Sequence, residues 1–236
     1  MNDLTGLGLG EDWDYVEQAL REVIPVYDRT NRFISLGSDL KIRKSGLELL
    51  KQFLGNDPEI LVLDLGCGTG RMTNLFGRPA VMLDALGPMI RVAKKRNPNA
   101  EGIIGVFENL PLRSRTIQGV MTGFAIRDAR RLNEALREIN QALVRGGLLL
   151  IADLSKPESN FKSGLIALYW KIFAPLIALA VSGRKGLKFA ALSNTYQKLP
   201  KKSVFLELTK KTGFRLIASR YFMLGGASVL LLKKHD

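Results

Sequence analysis

Cysteine and histidine are almost absent from this chain of 236 residues, which contains one of each. A disulfide needs two cysteines, and structural zinc sites use several cysteine or histidine ligands, so we predict neither a disulfide nor a metal site. Residues 1–14 also lack the basic stretch followed by an apolar one that marks a secretory signal. These absences predict a cytoplasmic protein.

Acidic residues are absent from one long segment, residues 159–206. The whole chain has 35 basic and 22 acidic residues and a net charge of +13, and the acid-free segment carries much of this excess. A basic surface attracts polyanions, so nucleic acid, an anionic membrane surface and plain solvation remain open as interpretations. The basic residues of the segment are Lys162, Lys171, Arg184, Lys185, Lys188, Lys198, Lys201 and Lys202.

The same segment contains an apolar stretch of 18 residues, 164–181, at the lower edge of a membrane-spanning length. Lys171 near its middle would cost about 2.5 to 3.5 kcal/mol on insertion, and Pro175 interrupts a helix. We therefore predict a lid helix or hairpin that packs on the domain or lies in the membrane interface, not a membrane span. The protein would then be cytoplasmic with peripheral contact at the inner face of the cell membrane.

The remaining pattern predicts an α/β fold. Apolar runs bounded by turn residues indicate buried strands, which alternate with helices at residues 71–76, 88–96 and 132–143, and this order is typical of a doubly wound, mostly parallel sheet. Two further strands around Gly225-Gly226 predict a C-terminal antiparallel hairpin. We expect one domain over residues 1–236, with a seven-stranded sheet, a helical cap at 1–55 and a lid at 158–200. The strands are predicted at 60–65, 80–83, 102–106, 119–124, 148–154, 216–222 and 227–233.

A glycine-rich turn follows the first predicted strand: Asp64-Leu65-Gly66-Cys67-Gly68-Thr69-Gly70. Glycine lets a ligand approach the backbone because it has no Cβ and tolerates positive φ. A nicotinamide-binding loop would need a third glycine where this chain has Arg71. The turn instead resembles the D-x-G-x-G-x-G signature of class I S-adenosylmethionine-dependent methyltransferases. The resemblance implies S-adenosylmethionine as cofactor, with its methionine end at this turn and its ammonium near Asp64.

Asp84 provides a second anchor for the cofactor. It ends the next predicted strand, twenty residues after Asp64. A carboxylate at this place can accept hydrogen bonds from both ribose hydroxyls.

Four further motifs narrow the resemblance to the ubiquinone/menaquinone-biosynthesis C-methyltransferases. Tyr27-Asp28-Arg29-Thr30-Asn31 resembles their Y-D-x-x-N, and Glu108-Asn109-Leu110-Pro111 their E-x-L-P. Gly123-Phe124-Ala125-Ile126-Arg127-Asp128 resembles S-F-G-L-R-N, and Leu154-Ser155-Lys156-Pro157 resembles F-S-K-P. The resemblance implies methylation of a ring carbon in a small-molecule or prenylated quinol-type acceptor.

The chain departs from the family at three places. Val106 stands where the family usually has Asp or Asn, Arg145-Gly146-Gly147 replaces P-G-G, and Phe189-Ala190-Ala191-Leu192 replaces Y-x-Y-L. Carried over by position, the family's cofactor contacts fall on Asp64, Gly66, Cys67, Gly68, Thr69, Gly70, Asp84, Ala85, Met89, Val106, Phe107, Gly123 and Phe124.

The same carry-over places Arg127 and Asp128 beside the acceptor. Methylation of a quinol carbon needs the ring as its phenolate, and no internal histidine is present to accept a proton. Because the pKa of arginine is too high for a base, we expect Arg127 to stabilise the oxyanion or orient a water, and Asp128 to hold Arg127 or relay the proton. A structural salt link is the alternative. Tyr27, Tyr169 and Tyr196 could line the acceptor pocket or simply pack.

Three other functions remain as alternatives. Methylation of another lipid or small molecule is one. Nucleic-acid methylation is disfavoured. The chain lacks an N/D-P-P-Y motif after the fourth strand, and its one cysteine, Cys67, lies in the cofactor turn and so is not available as the nucleophile for cytosine methylation. We therefore expect no nucleic-acid partner. A non-catalytic cofactor-binding protein at the membrane is the third, and it would have its acceptor pocket filled by side chains. A homodimer is compatible with the sequence.

Overall fold

The computed structural model describes residues 4, 6–55, 57 and 59–235, and only the backbone of residues 190–194. The first residues of the predicted cap and the side chains of Ala190, Ala191 and Leu192 therefore lie outside the described part.

One seven-stranded sheet organises the described part of the chain, in the order β3-β2-β1-β4-β5-β7-β6. The first five strands pair in parallel, and β7 is antiparallel to both β5 and β6. This confirms the predicted doubly wound sheet with its C-terminal hairpin. The strands are β1 Val62–Leu65, β2 Val81–Asp84, β3 Glu101–Ile104, β4 Ile117–Gly123, β5 Leu143–Leu154, β6 Phe214–Phe222 and β7 Ala227–Lys234.

Helices cover both faces of the sheet. Along β5 the side chains alternate: Leu149 and Ile151 join the core on the α6 side, while Leu150 faces α3. Gly46 in α3 lets the helix approach the sheet closely, because a Cβ there would lie 3.1 Å from Leu150. The helices are α1 Asp12–Val23, α2 Tyr27–Ile34, α3 Ser38–Leu54, α4 Arg71–Phe76, α5 Gly87–Arg96, α6 Leu132–Ala142, α7 Asn160–Leu168, α8 Ala174–Ser182, α9 Phe189–Lys198 and α10 Lys202–Lys211.

Two predicted boundaries are corrected. The strand expected at 102–106 ends at Ile104, because Val106 pairs with Asn109 in a tight turn instead of continuing the ladder. The strand expected at 148–154 already begins at Leu143, which the sequence pattern assigned to the preceding helix. Helix α2 was not predicted.

The predicted lid contains a helical segment, Asn160–Lys188, followed by α9. The segment comprises α7, a π-helical turn at Tyr169–Phe173, α8 and, after Gly183 at φ +58°, a 3-10 turn. We call it the lid helix. By length and composition it could cross a membrane, with a mean hydropathy of 1.9 over its most apolar window and 11% of that window buried. The interpretation as a surface lid stays a prediction.

Strand order decides where a ligand can bind. Between β1 and β4 the connections change direction, and the carboxyl ends of these strands open a crevice there. The glycine turn follows β1, and Gly123 ends β4, so both lie at the crevice.

Candidate functional site

A deep cavity lies at the carboxyl ends of β1, β2 and β4, beneath α1 and α2. It contains about 960 Å³ of empty space, part of it open to solvent. Its lining includes twelve of the thirteen residues predicted for the cofactor: Asp64, Gly66, Cys67, Gly68, Thr69, Asp84, Ala85, Met89, Val106, Phe107, Gly123 and Phe124.

All three glycines of the turn have positive φ, at +70°, +54° and +75°. A Cβ on Gly66 would lie 2.5 Å from Ala125, and one on Gly70 would lie 2.5 Å from Asn97, so these two glycines allow close packing. Gly68 has open space around its missing Cβ and leaves its backbone facing the cavity. Gly70, the thirteenth predicted contact, does not line the cavity because it packs against α5.

Asp64 is fully buried at the end of β1. Its Oδ2 accepts hydrogen bonds from the backbone and hydroxyl of Thr73, at 2.9 and 2.6 Å, while Oδ1 has no hydrogen-bond partner among the described residues. Burial raises the pKa of this carboxyl to about 6, and the Thr73 hydrogen bonds and Arg43 oppose the rise. A charged donor at Oδ1 would therefore be strongly favoured.

Asp84 holds the glycine turn from the end of β2. One carboxylate oxygen accepts from the Gly68 amide at 2.8 Å, and the other accepts from the Leu86 amide at 2.9 Å. Burial raises the pKa of Asp84, and these two hydrogen bonds oppose the rise. Each oxygen keeps a lone pair for a further donor from the cavity.

A pair of arginines in the lining of the main cavity was missed by sequence reasoning. Arg43 and Arg71 both donate to one oxygen of Asp39 at 3.0 Å, and Asp39 is 3% exposed. Two cations share one carboxylate, so the cluster carries an excess positive charge. The Arg43 guanidinium also lies 4.6 Å from the ring centre of Phe124. Both arginines line the cavity. The sequence signal was the i, i+4 spacing of Asp39 and Arg43 in α3.

Thr69 connects the glycine turn to α2, which lies over the cavity. Its hydroxyl donates to Asp28 of α2 at 2.7 Å and accepts from Arg96 at 2.9 Å. Arg96 also pairs with Asp28 at 2.6 Å. These contacts hold α2 over the cavity.

Arg127 lies in a 3-10 turn just after β4 and is 8% exposed. It donates to Asp153 at 2.7 Å and to Thr195 at 3.3 Å, whereas its nearest contact with Asp128 is 3.6 Å. Burial alone would lower the pKa of Arg127, but Asp128 and Asp153 raise it. The carboxylate that chiefly holds the arginine is thus Asp153, which the sequence did not single out.

Asp128 faces the main cavity, unlike Arg127. Burial raises its pKa to about 6, with Arg127 opposing the rise and Asp153 adding to it. Its Oδ1 has no hydrogen-bond partner among the described residues.

A second cavity adjoins the first and runs from Phe124 and Arg127 to Trp170 and Ala174 beneath the lid helix. It contains about 690 Å³ of empty space, part of it open to solvent, and shares Tyr27 with the main cavity. Burial raises the pKa of Tyr27, with Arg127 opposing this and Asp128 adding to it.

The structure does not bring the other two predicted tyrosines to either cavity. Tyr169 donates its hydroxyl to the Ile34 carbonyl. Tyr196 is fully buried and stacks on Trp170. Tyr169 therefore holds the lid helix to α2, whereas Tyr196 joins α9 to the lid helix, and Trp170 and Phe189 line the second cavity instead. These two aromatic residues lie in the predicted lid, the segment for which the sequence patterns were least informative.

Comparison with known proteins identifies this arrangement. The sequence model of the ubiE/COQ5 methyltransferase family matches residues 9–232. This chain belongs to that family. The Campylobacter jejuni protein named ubiquinone/menaquinone biosynthesis C-methyltransferase UbiE is 28% identical over 92% of this chain and 96% of its own length. A Thermotoga maritima demethylmenaquinone methyltransferase is 31% identical over 80% of this chain and 83% of its own length.

Solved structures agree on the fold. A putative methyltransferase from Bacillus halodurans superposes with a TM-score of 0.63 at 17% identity, over 81% of this chain and all of its own. A Thermotoga maritima S-adenosylmethionine-dependent methyltransferase gives a TM-score of 0.60 at 17% identity, over 92% of this chain and 100% of its own.

The ubiE/COQ5 family member described here is an S-adenosylmethionine-dependent methyltransferase, and its cavity suits that cofactor. The free oxygen of Asp64 would accept from the methionine ammonium, and the excess charge of Arg43 and Arg71 would receive its carboxylate. Asp84 would accept from the ribose hydroxyls. Val106 has no side-chain group to bind the adenine amino group, so Val106 and Phe107 would offer that ring apolar and backbone contacts.

Proposed function

We propose that this enzyme methylates a ring carbon of a prenylated quinol-type acceptor. The observation that carries the proposal is the second cavity, which begins beside the cofactor cavity and continues under the lid helix. The exposed surface of its walls is largely apolar, as a prenylated ring requires, and Tyr27 and Arg127 are among its polar groups. The names of the relatives point to the same acceptor class.

The polar end of the second cavity suits a phenolic ring. Tyr27 and Arg127 line this cavity, and Asp128 lines the adjoining main cavity within electrostatic reach of Tyr27. Burial raises the pKa of Tyr27, so its hydroxyl stays protonated near neutral pH and can donate to a ring oxygen. Asp153 holds Arg127 in place, and the permanent positive charge of Arg127 would stabilise the phenolate.

Asp128 is the proposed proton acceptor. A carboxyl with a pKa of about 6 is ionised at neutral pH yet basic enough to take a phenol proton in the transition state. The bound cofactor supplies an electrophilic methyl group. As the ring carbon bonds to that methyl, the methyl–sulfur bond would break with its electron pair staying on sulfur, and the ring carbon would then lose its proton to water.

Acceptor and base can be tested together. Purified protein would be incubated with labelled cofactor and a chemically reduced prenylated naphthoquinol or benzoquinol, and the extract analysed by mass spectrometry. We expect a methylated ring. Asp128→Asn should lower kcat on the order of a hundredfold while cofactor affinity changes less than about threefold. Glu207→Gln, an exposed change in α10, serves as the matched control.

Two outcomes would overturn the proposal. If the labelled methyl group is transferred to neither quinol but is transferred to another lipid, the proposed acceptor class is wrong. An unchanged kcat in Asp128→Asn would remove the base and leave the cavity's polar end as a structural salt link.

A further inference from the structure

Ile166, Ala174 and Ala178 of the lid helix are buried, but other large apolar side chains of the helix are exposed. Phe161, the first of them, is 83% exposed, and Leu176 is 58% exposed. The spacing of three or four residues places the set on one helical face. We call this face the apolar stripe, and it consists of Phe161, Leu165, Leu168, Ile172, Leu176 and Leu179.

The opposite face of the lid helix holds it on the domain. Ala174 and Ala178 are buried against a cluster that includes Ile34 and Phe189. Ser182 hydrogen-bonds Thr30 of α2. A surface helix of a soluble protein normally turns a polar face to solvent, whereas this helix is apolar on its solvent-facing side as well as on the side that packs on the domain.

Exposed cations flank the apolar stripe. Lys162 and Lys171 lie along the helix, and Arg184 and Lys185 lie at its end, all on the surface. No acidic residue occurs from 159 to 206 to balance them. An apolar face flanked by uncompensated positive charge is complementary to an anionic lipid surface.

We propose that the apolar stripe docks on an anionic membrane surface, with the lid helix lying in the interface plane. The contacts of Ala174, Ala178 and Ser182 with the domain keep the helix on the surface instead of across the bilayer. A second copy of this chain fits the stripe poorly, because it would bring the same cations face to face. The stripe lies on the outer side of the helix that covers the second cavity, so docking would place that cavity next to the bilayer.

Vesicle flotation tests the docking without acceptor or cofactor, so its outcome is independent of the proposed function. The full chain would be mixed with phosphatidylcholine vesicles containing or lacking about 30% phosphatidylglycerol, at about 50 mM and 500 mM salt. We expect flotation with anionic vesicles at low salt and at least a tenfold weaker partition with neutral vesicles or at high salt.

Variants test whether vesicle binding depends on the apolar stripe or on nonspecific adsorption. Leu165→Gln with Leu176→Gln should weaken partition by about thirtyfold or more, and Lys171→Gln by about fivefold. Phe53→Gln, an equally exposed apolar position on α3 outside the stripe, is the matched control and should float like the parent. Circular dichroism verifies that each variant is folded.

Three results would overturn the proposal. One is a folded protein that does not float with anionic vesicles at low salt. Another is flotation that the stripe variants leave unchanged. The third is a stable dimer in sedimentation analysis that Leu165→Gln with Leu176→Gln dissociates, since the stripe would then be an interface between two copies of the chain.

Discussion

Replacing Asp64 with asparagine removes one charge from the cofactor cavity and leaves the local hydrogen bonds in place. The Oδ2 atom of Asp64 accepts both hydrogen bonds from Thr73, and the asparagine carbonyl can take over that position. The amide nitrogen then stands where the unpartnered Oδ1 lies. The variant should therefore fold, but it presents a neutral donor to the ammonium of the cofactor.

The expected loss of affinity has two parts. At pH 7 the parent has an ionised carboxylate, and losing a charged hydrogen bond costs about 1.5 to 3 kcal/mol, which is on the order of ten- to a hundredfold in Kd. Below pH 6 the parent itself becomes protonated, since the pKa of Asp64 is about 6. Its affinity should then fall by about tenfold per pH unit, and Asp64→Asn should lack this component.

The substitution that weakens cofactor binding should raise the free energy of unfolding at neutral pH. The folded pKa of Asp64 is raised from 3.8 to about 6, so the folded protein binds this proton more tightly than the unfolded chain. The stabilisation is fully present below pH 3.8 and is lost as the pH rises through about 6, by an amount on the order of 3 kcal/mol. Asp64→Asn should therefore be the more stable protein at neutral pH.

Isothermal calorimetry of cofactor binding at pH 5, 6 and 7 checks the affinities, and urea unfolding at pH 4 and 7 checks the stabilities. Asp128→Asn belongs in the same series, because Asp128 also has a pKa of about 6 and lines the cavity. The reasoning is refuted if Asp64→Asn binds as tightly as the parent at pH 7. It is also refuted if the pH dependence of binding survives in Asp64→Asn and disappears only in Asp128→Asn.

Three further predictions concern single side chains. Asp84→Ala should weaken cofactor binding by about 1.5 to 3 kcal/mol, and a change below about twofold in calorimetry would remove Asp84 from the site. Arg43→Met should weaken binding of the cofactor by about tenfold but spare a decarboxylated analogue; equal losses for both would contradict a carboxylate contact. Arg127→Ala should lower turnover about a hundredfold or more with cofactor affinity nearly unchanged, and unfolding detected by circular dichroism would instead make Arg127 structural.

The fold was predictable because its signals are local. Strand β1 is buried on both faces, so its run of apolar residues could be recognised without knowledge of its neighbours. Helix α2 had no such signal, since its residues are mostly polar. It is held by Asp28, which contacts Thr69 and Arg96, and by Tyr27 stacked on Phe189. All of these partners are distant in sequence.

The candidate site also contains residues that the sequence predicted and residues that it did not. Motif spacing led to Asp64, Asp84 and Asp128, each of which ends or follows a strand at the crevice. Arg43 and Asp153 were missed because their importance comes from partners on other elements. Tyr169 and Tyr196 were candidates for the acceptor pocket by residue type alone, and in the structure Tyr169 contacts Ile34 of α2 while Tyr196 stacks on Trp170.

The sequence by itself determined the doubly wound sheet, the glycine turn and its acidic partners, because short-range periodicity and glycine's freedom at positive φ act within a few residues. Only the tertiary structure decided which carboxylate holds Arg127, how two arginines share Asp39, and which face of the lid helix meets solvent. Those outcomes depend on side chains brought together from distant parts of the chain. Burial then changes their charge balance, and no local pattern encodes that change.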